Sequence, residues 1–388
     1  MSLPMSGYNL TEEQIELAGL VRSFADEVVA PASYEADRTK TLPMDVVAQM
    51  GDMGLFGLPF PEEVGGQGGD YVTLGLAIEA LARVDQSIAI TLEAGVSLGA
   101  MPIFRFGTDA QRKEYLPDLL AGRALAGFGL TEPEAGSDAG ATRTTAKLDG
   151  GEWVIDGGKQ FITNSGTSIT RFVTVTAVTG SSDDAKREIS TIIVPRGTPG
   201  FTVGPAYDKV GWHASDTHPL VFSGARVPEA NLLGERGRGF ANFLHILDEG
   251  RIAIAALATG AAEGCLEAAV DYAKTRVVFG ESLGSRQSIQ FMLARMQQRV
   301  HVSRLAWLHA ARLRDAGRPF KTEAAIAKLT SSDAAMDNAR DATQIFGGNG
   351  FMNEYPVARH FRDSKILEVG EGTTEVQLLL IARSLGLA

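Results

Sequence analysis

A single cysteine, Cys265, in 388 residues excludes an internal disulfide framework, and its Ala-rich helical surroundings give it the role of a small buried hydrophobe. Basic blocks are also missing. Lys and Arg number 36 against 47 Asp and Glu, for a formal charge of -11 at pH 7. That balance disfavours a nucleic-acid or anionic-membrane surface but leaves room for a local patch facing an anionic cofactor. The most apolar run, IAIAALATGAA from Ile252, meets Glu263 too soon to span a bilayer. MSLPMSGYNL lacks a basic region followed by an apolar one, so no secretory signal is expected. A cytoplasmic or mitochondrial-matrix protein is the expectation. His213, His218, His245, His301, His309 and His360 have no ligand spacing, and no metal is expected. Gly234, Gly237 and Gly239 do not form a G-x-G-x-x-G, and no βαβ pattern surrounds them, which argues against a nicotinamide cofactor.

What the chain has is globular composition, 44% hydrophobic and 21% charged, with length for two or three domains. Residues 1–125 form an expected helical domain. Thr11-Glu12-Glu13-Gln14 and Thr108-Asp109-Ala110-Gln111 read as helix starts, Pro31 interrupts or ends the first helix, and a second covers roughly Pro43–Gly51. Leu74, Ile78, Leu81 and Ala82 recur at helical spacing. Residues 126–235 form an expected β-domain, most simply antiparallel. Its runs are Glu152–Asp156, Phe161–Thr163, Arg171–Val178, Ile189–Val194 and Leu220–Phe222. Asp149-Gly150-Gly151 and Asp156-Gly157-Gly158 are turn signals, and Ser181-Ser182-Asp183-Asp184 reads as an exposed loop. Residues 236–388 return to long helical periodicity and suggest a bundle, with helices to about 274, over 286–316 and 321–346, and from about 374.

The densest chemistry lies in residues 344–379, QIFGGNGFMNEYPVARHFRDSKILEVGEGTTEVQLL. Glu371 stands alone between Gly370 and Gly372. Such an acid is a candidate base held where backbone N–H groups can approach a ligand; a solvated Glu beside helix-terminal glycines is the equally open alternative.

Five segments appear in a fixed order: LTEPEAGSD at 130–138, KQFITN at 159–164, RVVFG at 276–280, QIFGG at 344–348 and EGT at 371–373. With the α, β, α domain order, they resemble the acyl-CoA dehydrogenases, flavoenzymes that desaturate acyl-CoA thioesters, and the resemblance covers almost the whole chain. It implies an N-terminal all-α domain, a middle antiparallel β-domain and a C-terminal four-helix bundle. It further implies FAD between the β-domain and the bundle, with its ADP part reaching a neighbouring subunit, and a homotetramer built as a dimer of dimers.

By that resemblance Phe128, Leu130, Thr131, Gly136 and Ser137 follow the pyrimidine edge and pyrophosphate of the flavin, and Ser137 also meets the substrate's pantetheine. Phe161, where relatives usually carry Trp, packs with Ile162 and Thr163 behind the isoalloxazine; Thr163 faces N5, the hydride acceptor. Arg276, Phe279, Gln287, Gln344, Ile345, Gly347 and Gly348 serve the adenosine and pyrophosphate of the neighbour's FAD. Thr373 and Glu375 complete the cofactor set. A planar guanidinium fork suits a diphosphate, which is the chemistry Arg276 would supply.

On the substrate side the resemblance assigns Asp248 and Arg251 to the CoA thioester and Gly372 to space beside the acyl chain. As sequence neighbours the two charged residues are also an i,i+3 helix pair. Glu371 removes the α proton while the β hydrogen leaves as hydride. A minority of relatives place the base on the other helix, at the position of Gly250, which cannot act; Glu249 is one residue too early. Ala89 stands where the glutaryl-CoA branch has Arg, so a neutral, short straight or branched acyl chain is expected. Glu93 is an unusual acid bordering the acyl pocket. Electrons are expected to pass to electron-transferring flavoprotein. The rival readings are an acyl-CoA oxidase on the same scaffold and a non-catalytic acyl-CoA-binding subunit.

Overall fold

The computed structural model describes residues 5–181 and 187–387, so residues 182–184 of the expected loop lie outside the described residues. The N-terminal helices are α1 (Glu12–Phe24), α2 (Ala30–Thr39), α3 (Met44–Asp52), α4 (Tyr71–Ala82), α5 (Gln86–Glu93), α6 (Met101–Phe106) and α7 (Asp109–Leu120). Thr11 and Thr108 each close a reciprocal capping box with Gln14 and Gln111, satisfying backbone donors at both helix starts. Of the two expectations for Pro31, interruption holds and termination does not. Residues Ala25–Val29 widen into a π-helical turn that leads directly into α2, where Pro31 sits at the second position. A widened turn moves the carbonyls that a proline ring would otherwise strike.

A mixed sheet follows, of β1 (Leu125–Gly129), β2 (Thr145–Asp149), β3 (Glu152–Thr163), β4 (Thr170–Ser181), β5 (Arg187–Pro195), β6 (Phe201–Val203), β7 (Thr217–Pro228) and β8 (Leu232–Leu233). Strand order is β6-β7-β3-β2-β4-β5-β8, with β1 on β4. The antiparallel expectation holds for most ladders, but β1 pairs β4 in parallel, as does a single β2–β4 pair, Thr145 with Val178. The β2–β3 hairpin lies between β1 and β4 in sequence, so β4 can enter in the direction of β1.

Gly150 and Gly151, both at positive φ, make the expected two-residue hairpin turn. The second turn signal is a correction. Asp156-Gly157-Gly158 lies inside β3, where the register to β7 shifts between Ile155 and Gly157. Gly157 has φ +142, and a Cβ there would lie 2.6 Å from Thr144 Oγ1, so the glycine marks a bulge crowded by its neighbour. A second irregularity between Lys159 and Ile162 turns the ring of Phe161 outward.

The C-terminal helices are α8 (Gly239–Thr275), α9 (Gln287–Asp315), α10 (Lys321–Phe346), α11 (Pro356–Ser364) and α12 (Thr374–Ser384), with a short hairpin of β9 (Val277–Val278) and β10 (Glu281–Ser282) after α8. The charged segment that became α11 gave no sequence signal of a separate helix. Its buried face is mostly polar and charged (Arg359, His360, Asp363 and Ser364, beside only Val357 and Ala358), so apolar periodicity missed it. Two helical stretches, Gln86–Phe106 and Gly239–Thr275, are long and apolar enough to cross a membrane, but 89% of each such window is packed inside the protein.

Helix α4 crosses the bundle and locks the N-terminal domain to it through charge. The fully buried Arg304 donates from Nε to Glu79 (2.7 Å) and from an Nη to Glu263 (3.0 Å), and Trp307 Nε1 donates to the other Glu79 oxygen at 2.8 Å. Arg22 and Arg83 extend the network to Glu263 and Glu267.

Candidate active site

Glu371 sits on the short connection between the 3-10 turn Lys365–Glu368 and α12. Gly370 N–H bonds to Ile366 O at 2.7 Å, and Thr373 caps α12 by accepting from Val376 N–H at 3.3 Å. Between these anchors Glu371 takes φ 52, a left-handed conformation that costs a non-glycine residue about 1 kcal/mol or more. The strain is held from the other side: Lys328 Nζ and Gln377 Nε2 both donate to Gly372 O, at 2.8 and 2.9 Å.

The Glu371 side chain points into the molecule. Its Oε2 is inaccessible and has no hydrogen-bonding partner among the described residues, although part of the residue stays open to solvent. Burial pushes this carboxyl up to about 7, against the influence of the adjoining Glu93 carboxyl and the opposing charges of Lys328 and Arg251. Facing it is Gly250 of α8, where an added Cβ would stand 2.4 Å from Glu371 Oε2. A side chain at 250 and the carboxyl at 371 thus compete for one space, which gives the alternation between the two base positions a steric reason.

Glu249, one residue away, is excluded. It is buried but tied to Arg105 and, at 3.0 Å, to Arg314. Asp248 and Arg251 form the expected ion pair one turn apart. Lys321 adds a looser contact to Asp248 at 3.7 Å.

On the opposite side of the site, β1 ends in Phe128 and Gly129 and runs into Leu130 and Thr131. Thr131 O accepts from Gln160 N–H at 2.8 Å, which ties this loop to β3. Phe128 stacks on Phe243 of α8 at 3.7 Å and joins the sheet to the bundle. The side chains of Phe128, Leu130 and Ile162 all lie in apolar cores, so these residues can offer a ligand only backbone atoms. Phe161 and Thr163 alternate outward from Ile162. Phe161 is 61% exposed and meets Tyr207 at 5.2 Å. Ser137 is exposed, and open space surrounds Gly136, with nothing within 4 Å of where a Cβ would stand. An exposed aromatic beside uncovered backbone donors fits a flat heteroaromatic cofactor carrying a phosphate tail.

The remaining expected cofactor residues lie elsewhere. Arg276 directly follows α8, 26 residues beyond Gly250, or roughly 39 Å at the rise of a straight helix. Phe279 and Gly280, both at positive φ, form the tip of the β9–β10 hairpin, which leaves Phe279 97% exposed. Gln287, Gln344, Gly347 and Gly348 are exposed at this same end, whereas Ile345 packs into the bundle core. One protomer therefore does not bring the two groups together. Thr373 is committed as the cap of α12, and Glu375 lies exposed in its first turn.

Profiles of the acyl-CoA dehydrogenase N-terminal, middle and C-terminal domains match residues 11–123, 127–225 and 237–386. The chain belongs to the acyl-CoA dehydrogenase family. It is an FAD-dependent oxidoreductase of that family, in three domains: helical, β-sheet and helix bundle. It is 48% identical over 378 residues to a Bacillus subtilis protein named probable acyl-CoA dehydrogenase YngJ, covering 97% of this chain and 99% of that one. The fold superposes on butyryl-CoA dehydrogenase from Megasphaera elsdenii with a TM-score of 0.93 at 42% identity, covering 99% and 100% of the two chains. A chain from the structure described as the electron transferring flavoprotein of Acidaminococcus fermentans matches with a TM-score of 0.94 at 42% identity, over 97% and 99%.

Two supports of the acyl-CoA dehydrogenase site escaped sequence reasoning. Lys328 is buried, and desolvation lowers its ammonium to about 8 even though Glu371 lies near. Its only signal was one cation in the Ala-rich run AAIAKLTSSDAA. Glu132, within the expected loop but given no role, is the loop's internal anchor. It accepts from Lys159 Nζ (2.6 Å), Arg143 N–H (2.6 Å), Thr144 N–H (3.1 Å) and the Thr142 hydroxyl. Burial opposes its charge, but Lys159 prevails and holds the carboxyl at about 2.

Proposed function

We propose that the protein desaturates a short straight-chain or small branched acyl-CoA to its trans-2-enoyl-CoA, with Glu371 as the base. The observation that carries this reading is the buried Glu371 Oε2, which has no hydrogen-bonding partner among the described residues and finds its room over the bare Cα of Gly250, as a desolvated proton acceptor requires. The α C–H bond breaks toward Glu371 Oε2, the carbon–carbon double bond forms, and the β hydrogen departs with its electron pair. FAD, when bound, supplies the acceptor for that hydride. Thr131, Gly136, Ser137, Phe161 and Thr163 would hold its flavin end. Arg251, held by Asp248, is placed to meet the thioester or a CoA phosphate.

The cofactor's far end would meet Arg276, Phe279 and the Gln344–Gly348 turn of a second subunit, since these residues lie remote from the flavin side of their own chain. The proposed assembly is a homotetramer built from such dimers. In line with this, Arg276→Ala should lower FAD retention at least tenfold while the melting temperature of the apo protein stays unchanged. Calorimetric titration of apo protein with FAD measures this, and equal affinity in both proteins rejects the role of Arg276.

Ala89 is buried on α5 and offers nothing to a terminal carboxylate. Butyryl-, isobutyryl- or isovaleryl-CoA should therefore bleach the flavin faster than glutaryl-CoA. Faster turnover of glutaryl-CoA than of every neutral substrate sinks that assignment. Electron-transferring flavoprotein is the proposed acceptor. It should reoxidise substrate-reduced enzyme much faster than oxygen does, and the reverse order favours the oxidase reading.

A further inference from the structure

Glu93 ends α5, immediately before the π-helical turn Ala94–Ala100. It is completely buried, and neither carboxyl oxygen receives an N–H or O–H in good geometry among the described residues. A buried, unsatisfied carboxyl is costly, so its position needs a reason. Asp85 fixes the helix that carries it: the Asp85 side chain caps α5 through Ser87 and Ile88 N–H, and lies near Arg359 of α11. Glu93 is thereby aimed at the point where Glu371 and Gly250 meet. The position from which a Gly250 Cβ would project lies 2.4 Å from Glu371 Oε2 and 3.8 Å from Glu93 Oε1. Both oxygens share the space above one glycine, which makes the two buried carboxyls neighbours.

We propose that Glu93 is a positioning residue for the base: it retains a proton and donates it in a hydrogen bond to the Glu371 carboxylate. This rests on the reading of Glu371 as base. Two adjoining carboxyls in a water-poor site cannot both ionise, so the pair keeps one proton. The surrounding charges decide which side keeps it. Glu371 faces two cations, Lys328 of α10 and Arg251 of α8, the latter tied to Asp248. Among the described residues no cation bears on Glu93 in this way. Its polar neighbours are the Ser97 hydroxyl, which also meets Tyr71 OH at 3.1 Å, and Glu371 itself. Beyond Tyr71, Arg314 is engaged by Glu249, and Asp333 and Glu368 also bear on Lys328. The ionised oxygen therefore belongs on Glu371 and the proton on Glu93. The bond fixes the direction of a base that sits on a strained backbone, and it offsets part of the rise in proton affinity that burial imposes. Without it, Glu371 would be protonated at higher pH and idle over a wider range.

Two variants of the FAD-loaded enzyme separate this role from space filling. Glu93→Met removes the donor at similar volume, and Glu93→Gln keeps an N–H that can point at Glu371. In single-turnover flavin reduction by butyryl-CoA, the acid limb of the pH profile should move up by about one unit in Glu93→Met, a roughly tenfold slower reduction at pH 6. Glu93→Gln should keep the parental limb. The resting holoenzyme, without substrate, should show the infrared C=O stretch of a protonated carboxylic acid that both variants lose. A limb that stays or moves down in Glu93→Met, no protonated-acid band in the difference spectrum between parent and variants, or a changed acyl-chain preference with the limb in place each overturns the proposal. Failure of the base assignment itself would appear separately, as flavin reduction surviving in Glu371→Gln, because the difference band between parent and Glu93 variants reports on Glu93 whatever the base is.

Discussion

Replacing Glu371 by Gln should abolish flavin reduction while leaving FAD and thioester ligands bound. The change preserves side-chain size and the left-handed loop, which Lys328, Gln377 and the Thr373 cap hold through backbone atoms independent of the carboxylate. What disappears is the proton acceptor. General-base contributions run to about 10²–10⁴-fold, and an obligatory α-proton abstraction should fall at or beyond the upper end. The loss belongs in the reduction rate and not in ligand affinity, the pattern of an interaction made only in the transition state. Stopped-flow bleaching with the best acyl-CoA measures it; a parental rate in the Gln variant removes Glu371 from the mechanism. Glu249 would not be the substitute, because Arg105 and Arg314 already neutralise it.

The same substitution should change stability in the opposite sense. Burial raises the folded-state carboxyl to about 7 from an ordinary value of 4.5. Between those values the native state binds more protons than the unfolded chain, so stability falls as pH rises through that window and stays low above it. Glu371→Gln removes this titration. Its advantage in melting temperature over the parent should be larger at pH 8 than at pH 5, and an equal difference at both would show that the carboxyl is not desolvated in solution.

The second large effect is structural. Arg304→Met leaves Glu79 and Glu263 buried without their shared cation. Burial already raises Glu79, whereas Glu263 is held down, against its own desolvation, by Arg304 and Arg22. Breaking a buried pair on one side costs about 3–5 kcal/mol. The network joins α4 to α8 and α9, so the loss should loosen the N-terminal domain from the bundle. Urea denaturation should detect it, and Glu79→Gln should return part of the stability to the Arg304→Met protein by removing the stranded charge. A change below about 1 kcal/mol, the size of a surface pair, would mean that water reaches the cluster.

Much of this architecture is local and therefore legible in the sequence. Capping boxes at Thr11 and Thr108, the Gly150-Gly151 hairpin and the long periodicity of α8 to α10 each follow from residues a few positions apart, where propensity and pattern operate directly. The helix start after Glu371 was readable in the same way, whereas the residues alone left Glu371 open between a held base and a solvated acid, and its left-handed backbone is seen only in the fold. Reading failed where distant chain segments choose between local options. Asp156-Gly157-Gly158 carries every mark of a turn, yet β7 pairs along its length and turns the spare residue into a bulge. Pro31 left open whether the helix is interrupted or ended, and the fold shows an interruption by a π-helical turn whose Ala25 and Val29 are buried in the same core as Val21 and Phe24 of α1.

The amino-acid order by itself determined the three-domain plan, the proposed place of the base and the absence of a side chain at position 250. Only the tertiary structure decided what those residues face. Lys328, Gly250, Glu93 and Glu371 come from α10, α8, α5 and the loop before α12, and no spacing along the chain relates them. Their proton affinities depend on desolvation and on charges a few ångströms away, and those distances exist only once the helices have packed.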